Sequence, residues 1–157
     1  MSFLRMAALF GLVMLTLVAA VLAAHAQNAQ NTVGTITQLQ GVASIQRNGA
    51  TTPAMVNEAV MLHDKIVTDP NASLTIGLVD NSFLQLSAST TLTIDESVLV
   101  NGVGAPSKVG LVEGTLHSVI NGAMRGSTTT FEVHTPNSVG AVRGTDFTVH
   151  AYKKSQP

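Results

Sequence analysis

From Thr32 onward, apolar and polar residues alternate in short runs. Turn residues interrupt these runs about every ten positions, the spacing of short strands rather than helices. A strand sends successive side chains to opposite faces, so alternation sorts the residues into an inner and an outer set. Leu74, Ile76 and Leu78 share one face of a strand expected over residues 73–79, and Leu92 and Ile94 form another inward pair. Ala43 and Ile45 oppose Val42, Ser44 and Gln46 in the same way. No long window carries a 3.6-residue apolar period, so little helix is expected beyond residue 31. The pattern predicts an all-β single domain of many short strands, roll- or solenoid-like or a two-layer sandwich.

Turn chemistry places the breaks. Asn48-Gly49 after Arg47 suits the two positive-φ positions of a type I′ hairpin. Residues 51–58, with Pro53, read as a connector. His63-Asp64, Asp69-Pro70-Asn71-Ala72, Asp80-Asn81-Ser82 and residues 87–90 read as turns, and Asp95-Glu96-Ser97 as the lead into a strand at 98–100. Gly102, Gly104 and Pro106 make residues 101–108 the longest loop and the expected mobile region. Strands are then expected at 109–112, 115–120 and 129–134, with Glu113-Gly114 separating the first two.

Residues 1–26 read as a signal peptide. Arg5 supplies a positive start, an apolar run follows to Ala24, and Ala24-His25-Ala26 is a small-x-small cleavage site before a polar run. The alternative is an uncleaved inner-membrane anchor over residues 6–24, since a span needs roughly 20 apolar residues. Either way the remainder is expected outside the cytoplasm, periplasmic or secreted. Residues 27–37 are expected as a linker or first strand, 38–150 as the β domain, and 151–157, with Lys153 and Lys154, as a polar tail.

The formal charge is −1, and loss of Arg5 would make it −2. Such a chain has no electrostatic footprint for nucleic acid and no basic cluster for anionic lipid. Only 11% of residues are charged, which limits colloidal repulsion and leaves self-association open. There is no cysteine, so stability must come from burial and backbone ladders.

Candidate chemistry is sparse. His25 would leave with the signal, and His117, His134 and His150 lack a compact ligand spacing, which suits solvent-facing strand histidines. His134 and His150 lie near the ends of two late strands that could pair. His63-Asp64 has no accompanying nucleophile motif, and Asp64 reads as a turn cap. Asp95 and Glu96 are adjacent and would face opposite sides of a strand. Asp69, Asn71 and Asp80 do not show the spacing of a calcium loop. No catalytic, cofactor-binding or metal-binding residue is assigned, and the chain is expected not to be an enzyme.

The most specific stretch is residues 135–149. Pro136 and Asn137 follow Thr135 in a turn, then two short strands at 139–142 and 145–149 flank a corner at Gly144. Phe147 and Val149 should share one face, Asp146 and Thr148 the other. A kink at Gly144 would bring Arg143 and Asp146 together as a charge-assisted pair. Thr135, Pro136, Asn137, Val142, Arg143, Gly144, Thr145, Asp146, Phe147 and Val149 resemble the carboxy-terminal signature of the FecR domain family, TPN-A, two or three residues, VRGT, Asp or Glu, F, V. The resemblance extends upstream. Residues 41–49 look like the family's opening hairpin, residues 62–68 like its L-x-GD-x-I-x-T segment, and Leu111-Val112-Glu113-Gly114 like a further strand end. His63 and Asn81 stand where the family usually has glycine.

The resemblance implies a stand-alone exported FecR domain that recognises another cell-envelope protein, a receptor or a regulator, or serves as a sensory or structural module. Its well-understood relatives link an outer-membrane siderophore receptor to a cytoplasmic sigma factor. No sigma-binding segment is expected before the apolar run of this chain. Arg143, Gly144, Asp146, Phe147, Thr135, Pro136 and Asn137 are the structural or partner-contact candidates. The alternative is a module binding a small ligand or glycan, which needs a concave site with convergent polar groups. The absence of Trp and the single Tyr weigh against that alternative.

Overall fold

The computed structural model describes residues 32–100, 103–121, 130–144 and 146–152. The expected signal segment or anchor, Thr145, and Lys153 and Lys154 of the expected tail lie outside these residues. Within them the strands are β1 (Thr32–Gln40), β2 (Ala43–Arg47), β3 (Ala50–Pro53), β4 (Ala59–Met61), β5 (Lys65–Thr68) and β6 (Ser73–Leu78). They continue as β7 (Phe83–Leu86), β8 (Thr91–Val100), β9 (Val103–Val119), β10 (Phe131–His134), β11 (Val139–Val142) and β12 (Asp146–Ala151). No helix occurs among the described residues.

The alternation read from the sequence sets the inner face. Leu74, Ile76 and Leu78 are buried on β6, Leu84 and Leu86 on β7, and Leu92 and Ile94 on β8. Ile36, Ile45, Ile66, Leu111, Leu116 and Phe131 meet them in one continuous core. Each fully buried side chain of this size contributes roughly 1.5–3 kcal/mol. Exposed ion pairs contribute about 0–1 kcal/mol, so burial dominates in a chain without disulfides.

The strands form a single sheet in the order β3-β2-β5-β8-β9-β7-β6-β1-β4, with β10 and β12 also on β9, and β11 on β10. The sheet curls into a half-barrel around the core. Strand β9 is its spine. The first part of β9 runs antiparallel to β8, from Val100↔Val103 to Thr91↔Glu113. Its last part pairs with β7 through Phe83↔Val119 to Leu86↔Leu116. The other flank of β9 takes β12 antiparallel and β10 parallel.

Four expectations are corrected here. Residues 103–108 are not a loop but the start of β9, because Val100 pairs with Val103 across a two-residue connection. The connector at 51–58 contains the end of β3, whose edge position tolerates Pro53. Asp95, Glu96 and Ser97 lie inside β8, where shifts in register absorb them. The strands expected at 109–112 and 115–120 are one strand, because Gly114 bends β9 without ending it.

Gly114 marks the passage between the two halves. Its φ is +97°, a region that L side chains rarely adopt. A Cβ there would lie 2.5 Å from Thr90 Cα and 2.3 Å from Thr90 Oγ1. Backbone therefore fills the space a side chain would need. The expected turns also appear: Asn48 and Gly49 have φ of 51° and 81°, and Arg47 pairs with Ala50 across them. His63 and Asn81, the two residues at usual glycine positions, also take positive φ, 69° and 59°.

Gly114→Ala should lower stability by about 3 kcal/mol, the sum of backbone strain and overpacking. Urea unfolding of the variant should show a lower midpoint at unchanged slope. A midpoint equal to wild type would mean that β9 does not depend on this bend.

Candidate functional site

The 135–149 stretch forms a hairpin, a corner and an edge strand. Strands β10 and β11 pair from Phe131↔Val142 to His134↔Val139. The side chain of Thr135 organises the turn between them. Its Oγ1 accepts from Ser138 N at 3.0 Å, and Thr135 N donates to Ser138 O at 2.8 Å. Pro136 and Asn137 sit exposed at the tip. The chain then turns at Gly144, with φ of 68°, and enters β12.

On β12 the faces separate as the alternation requires. Phe147 and Val149 pack against the core, and Asp146, Thr148 and His150 are exposed. Phe147 meets Phe131 with ring centroids 6.2 Å apart. The geometry around Asp146 differs from the expected pair with Arg143. Strand β12 lies beside β9, so Asp146 Oδ1 reaches His117 Nε2 at 2.6 Å. Arg143 is exposed at the corner, and no ion pair joins it to Asp146 among the described residues. The pairing was not readable from the sequence because β9 and β12 meet only in the folded sheet. Thr115 Oγ1 lies 2.8 Å from His150 Nδ1 along the same pair of strands.

Among the described residues, a bidentate ion pair lies elsewhere. Asp64 is fully buried, and Arg47 grips it with both ends of its guanidinium. Arg47 Nε donates to Oδ1 and Nη2 to Oδ2, each at 2.7 Å. The same Nη2 donates to Ala59 O at 2.9 Å, and Met61 N donates to Asp64 Oδ2 at 2.8 Å. Such bidentate pairs are directional and charge-assisted. The hydrogen bond to Asp64 raises the Arg47 pKa above its ordinary value, so the cation is firmly held. Asp64 does cap its turn, as expected, but its partner Arg47 is not readable from the sequence. The two are 17 residues apart, on β2 and in the β4–β5 turn, with no local signal to join them.

The other candidates stay separate. His63 projects into solvent beside Asp64, whose oxygens are both occupied. His134 pairs with Glu132 on its own strand at 2.7 Å. His134 and His150 do not meet through paired strands, because β10 joins β9 and β11 while β12 joins β9. Lys108 donates to Glu96 at 2.7 Å, which lowers the Glu96 pKa and raises that of Lys108. Asp80 is buried and accepts from Ser82 N at 3.1 Å, fixing the turn at Asn81. Among the described residues no three His, Asp or Glu side chains gather in a way that could hold a metal ion.

These features define a β-sheet domain whose distinctive motif lies on its last strands. Residues 64–156 match the family model described as FecR protein, and the chain belongs to that family. Among solved structures it is similar to a "Cell surface anchoring domain", with 24% identity over 39% of this chain and 82% of that one, at a TM-score of 0.38. So partial a likeness carries no argument about fold or function. Comparison with curated proteins gives no match.

The Arg47–Asp64 pair should respond asymmetrically. Arg47→Ala leaves a fully buried carboxylate uncompensated and should cost about 3 kcal/mol. Asp64→Asn keeps an acceptor for Met61 N and leaves a cation that is one-third exposed, so about 1–2 kcal/mol is expected. Chemical denaturation of both variants at neutral pH measures the order, and equal losses would refute it. Asp146→Ala should cost less than about 1 kcal/mol, because the Asp146 side chain is 68% exposed and its pair is screened. The same titration checks this, and a loss near 3 kcal/mol would show a buried role.

Proposed function

We propose that this chain is a non-enzymatic cell-envelope protein that works by recognising another protein, a receptor or a regulator. Membership of the FecR family supports an envelope role. The supporting observation is where the family signature falls. Strand β11 pairs with β10 alone, and β12 with β9 alone, among the described strands. Each therefore has a flank where an incoming strand could add to the sheet.

Side chains suited to contact lie along the same edges. Val139 is 60% exposed on β11, Pro136 and Asn137 crown the turn, and Arg143 presents its charge at the corner. Gly144 permits the corner, and Phe147 anchors β12 to the core. In this reading Thr135, Gly144 and Phe147 shape the surface, while Pro136, Asn137, Arg143 and Asp146 meet the partner. The chain acts outside the cytoplasm, periplasmic or secreted, and needs no cofactor.

A photo-crosslinking residue at Asn137 in the full chain, expressed in its native envelope, tests the proposal. Crosslinks to one envelope protein are expected, with a drop of about tenfold on Arg143→Glu, the scale of one lost charged contact. Crosslinks only to copies of the same chain would replace the proposal with self-assembly. Crosslinks unchanged by Arg143→Glu would remove the corner from the interface.

A further inference from the structure

A second surface lies on the outer face of β1, β6 and β7, away from the edges. There a wide-mouthed hollow of about 470 Å³ opens to solvent. Its size falls within the range of small-molecule sites, roughly 300–1,000 Å³.

The hollow depends on a break in alternation. Consecutive strand residues normally face opposite sides, so Thr37 and Gln38 should not share a surface. Between Ile36↔Ile76 and Gln38↔Thr75 the register of β1 on β6 shifts. Thr37 is the extra residue of this bulge, and both it and Gln38 are exposed and line the hollow. Bulges of this kind re-aim side chains and concentrate next to sites. Gly77 forms part of the lining, and a Cβ on it would come within 2.9 Å of the Thr37 methyl.

The walls are held in place before any ligand arrives. Thr37 Oγ1 donates to Thr75 O at 3.2 Å. Gln85 Oε1 lies 3.4 Å from His117 Nδ1. Phe83 packs edge-on against His117, with centroids 6.3 Å apart and planes at 73°.

The chemistry of the lining selects the ligand. None of the residues lining the hollow carries a charged side chain, so neither an anion nor a cation would find a counter-charge on its walls. Gln38, Gln85 and Asn81 each offer both a donor and an acceptor, and the threonines add hydroxyls. Hydroxyl groups of a neutral ligand have the same dual character. Phe83, 38% exposed, adds an apolar face on which a ring can rest. A peptide backbone has no ladder to join here, since β6 is paired on both sides within the sheet. We propose that this hollow binds a neutral, hydroxyl-rich ligand of the oligosaccharide class. The site shares no lining residue with the β11 and β12 edges, although His117 lies between Gln85 and Asp146, and the proposal stands whether or not those edges bind a protein.

Calorimetric titration of the purified full chain with cellohexaose, chitohexaose and maltohexaose tests the proposal. At least one should bind with a dissociation constant of about 1 mM or tighter, the scale of an open, polar site. Gln38→Ala and Phe83→Ala should each weaken that binding by about tenfold. Gln38 is exposed, so its variant should unfold at the wild-type midpoint and separate lost contact from lost fold. Arg143→Glu should leave the binding unchanged. No binding of any of the three sugars, or binding indifferent to both hollow variants, would overturn the proposal. Tighter binding of anionic hexagalacturonate than of every neutral sugar would overturn its ligand class.

Discussion

A curled sheet must be prevented from opening, and in this protein that constraint falls on one buried carboxylate. Asp64 has no exposure to water and would be costly alone. Arg47 neutralises it from β2, while the same guanidinium reaches the carbonyl of Ala59 on β4. Strands β2 and β4 lie toward opposite ends of the strand order, so a single side chain ties the two ends together. Backbone bonds between Asn57 and Ile36 and between Ala54 and Ala43 hold the same region. Directional charge-assisted bonds suit this task better than apolar contact, because they fix one register and orientation.

The core and the spine depend on that closure. Side chains from both halves of the sheet fill one interior, which is close-packed only when the halves face each other at a fixed distance. Strand β9 holds the halves in line, and Gly114 lets it turn from one to the other. The family signature then serves two ends on one stretch. Phe147 and Val149 complete the interior, while Asp146, Thr148 and His150 remain outside. Resemblance at such positions therefore reports packing.

Local chemistry was legible and distant chemistry was not. Asn48-Gly49 gave its hairpin, and the Leu74, Ile76 and Leu78 alternation gave the inner face of β6. Asn101-Gly102 is the same hairpin dipeptide as Asn48-Gly49. Gly104 and Pro106 nevertheless make the whole run resemble a loop, although sheet pairing tolerates both. Gly114 read as a break because a glycine interrupts side-chain alternation without necessarily interrupting the backbone ladder. Arg47 with Asp64, and His117 with Asp146, are partners created by sheet order, which single-chain periodicity does not encode. The bulge at Thr37 is hidden for the same reason, since it exists only relative to β6.

The late position of β9 has a consequence for how the molecule comes into being. A chain grows from its amino terminus, so β1 to β8 exist before their shared partner has been made. The β1-β6-β7 group and the β2-β5-β8 group can each assemble early, but β7 and β8 then present raw edges to neighbouring chains. The Arg47 contacts to Asp64 and Ala59 can join the groups at one end, but no strand ladder runs along both until β9 arrives and pairs with each. The final third of the chain is thus the template that sets the earlier two-thirds in register, and a nascent chain stalled before residue 103 would carry two sticky halves without a common frame.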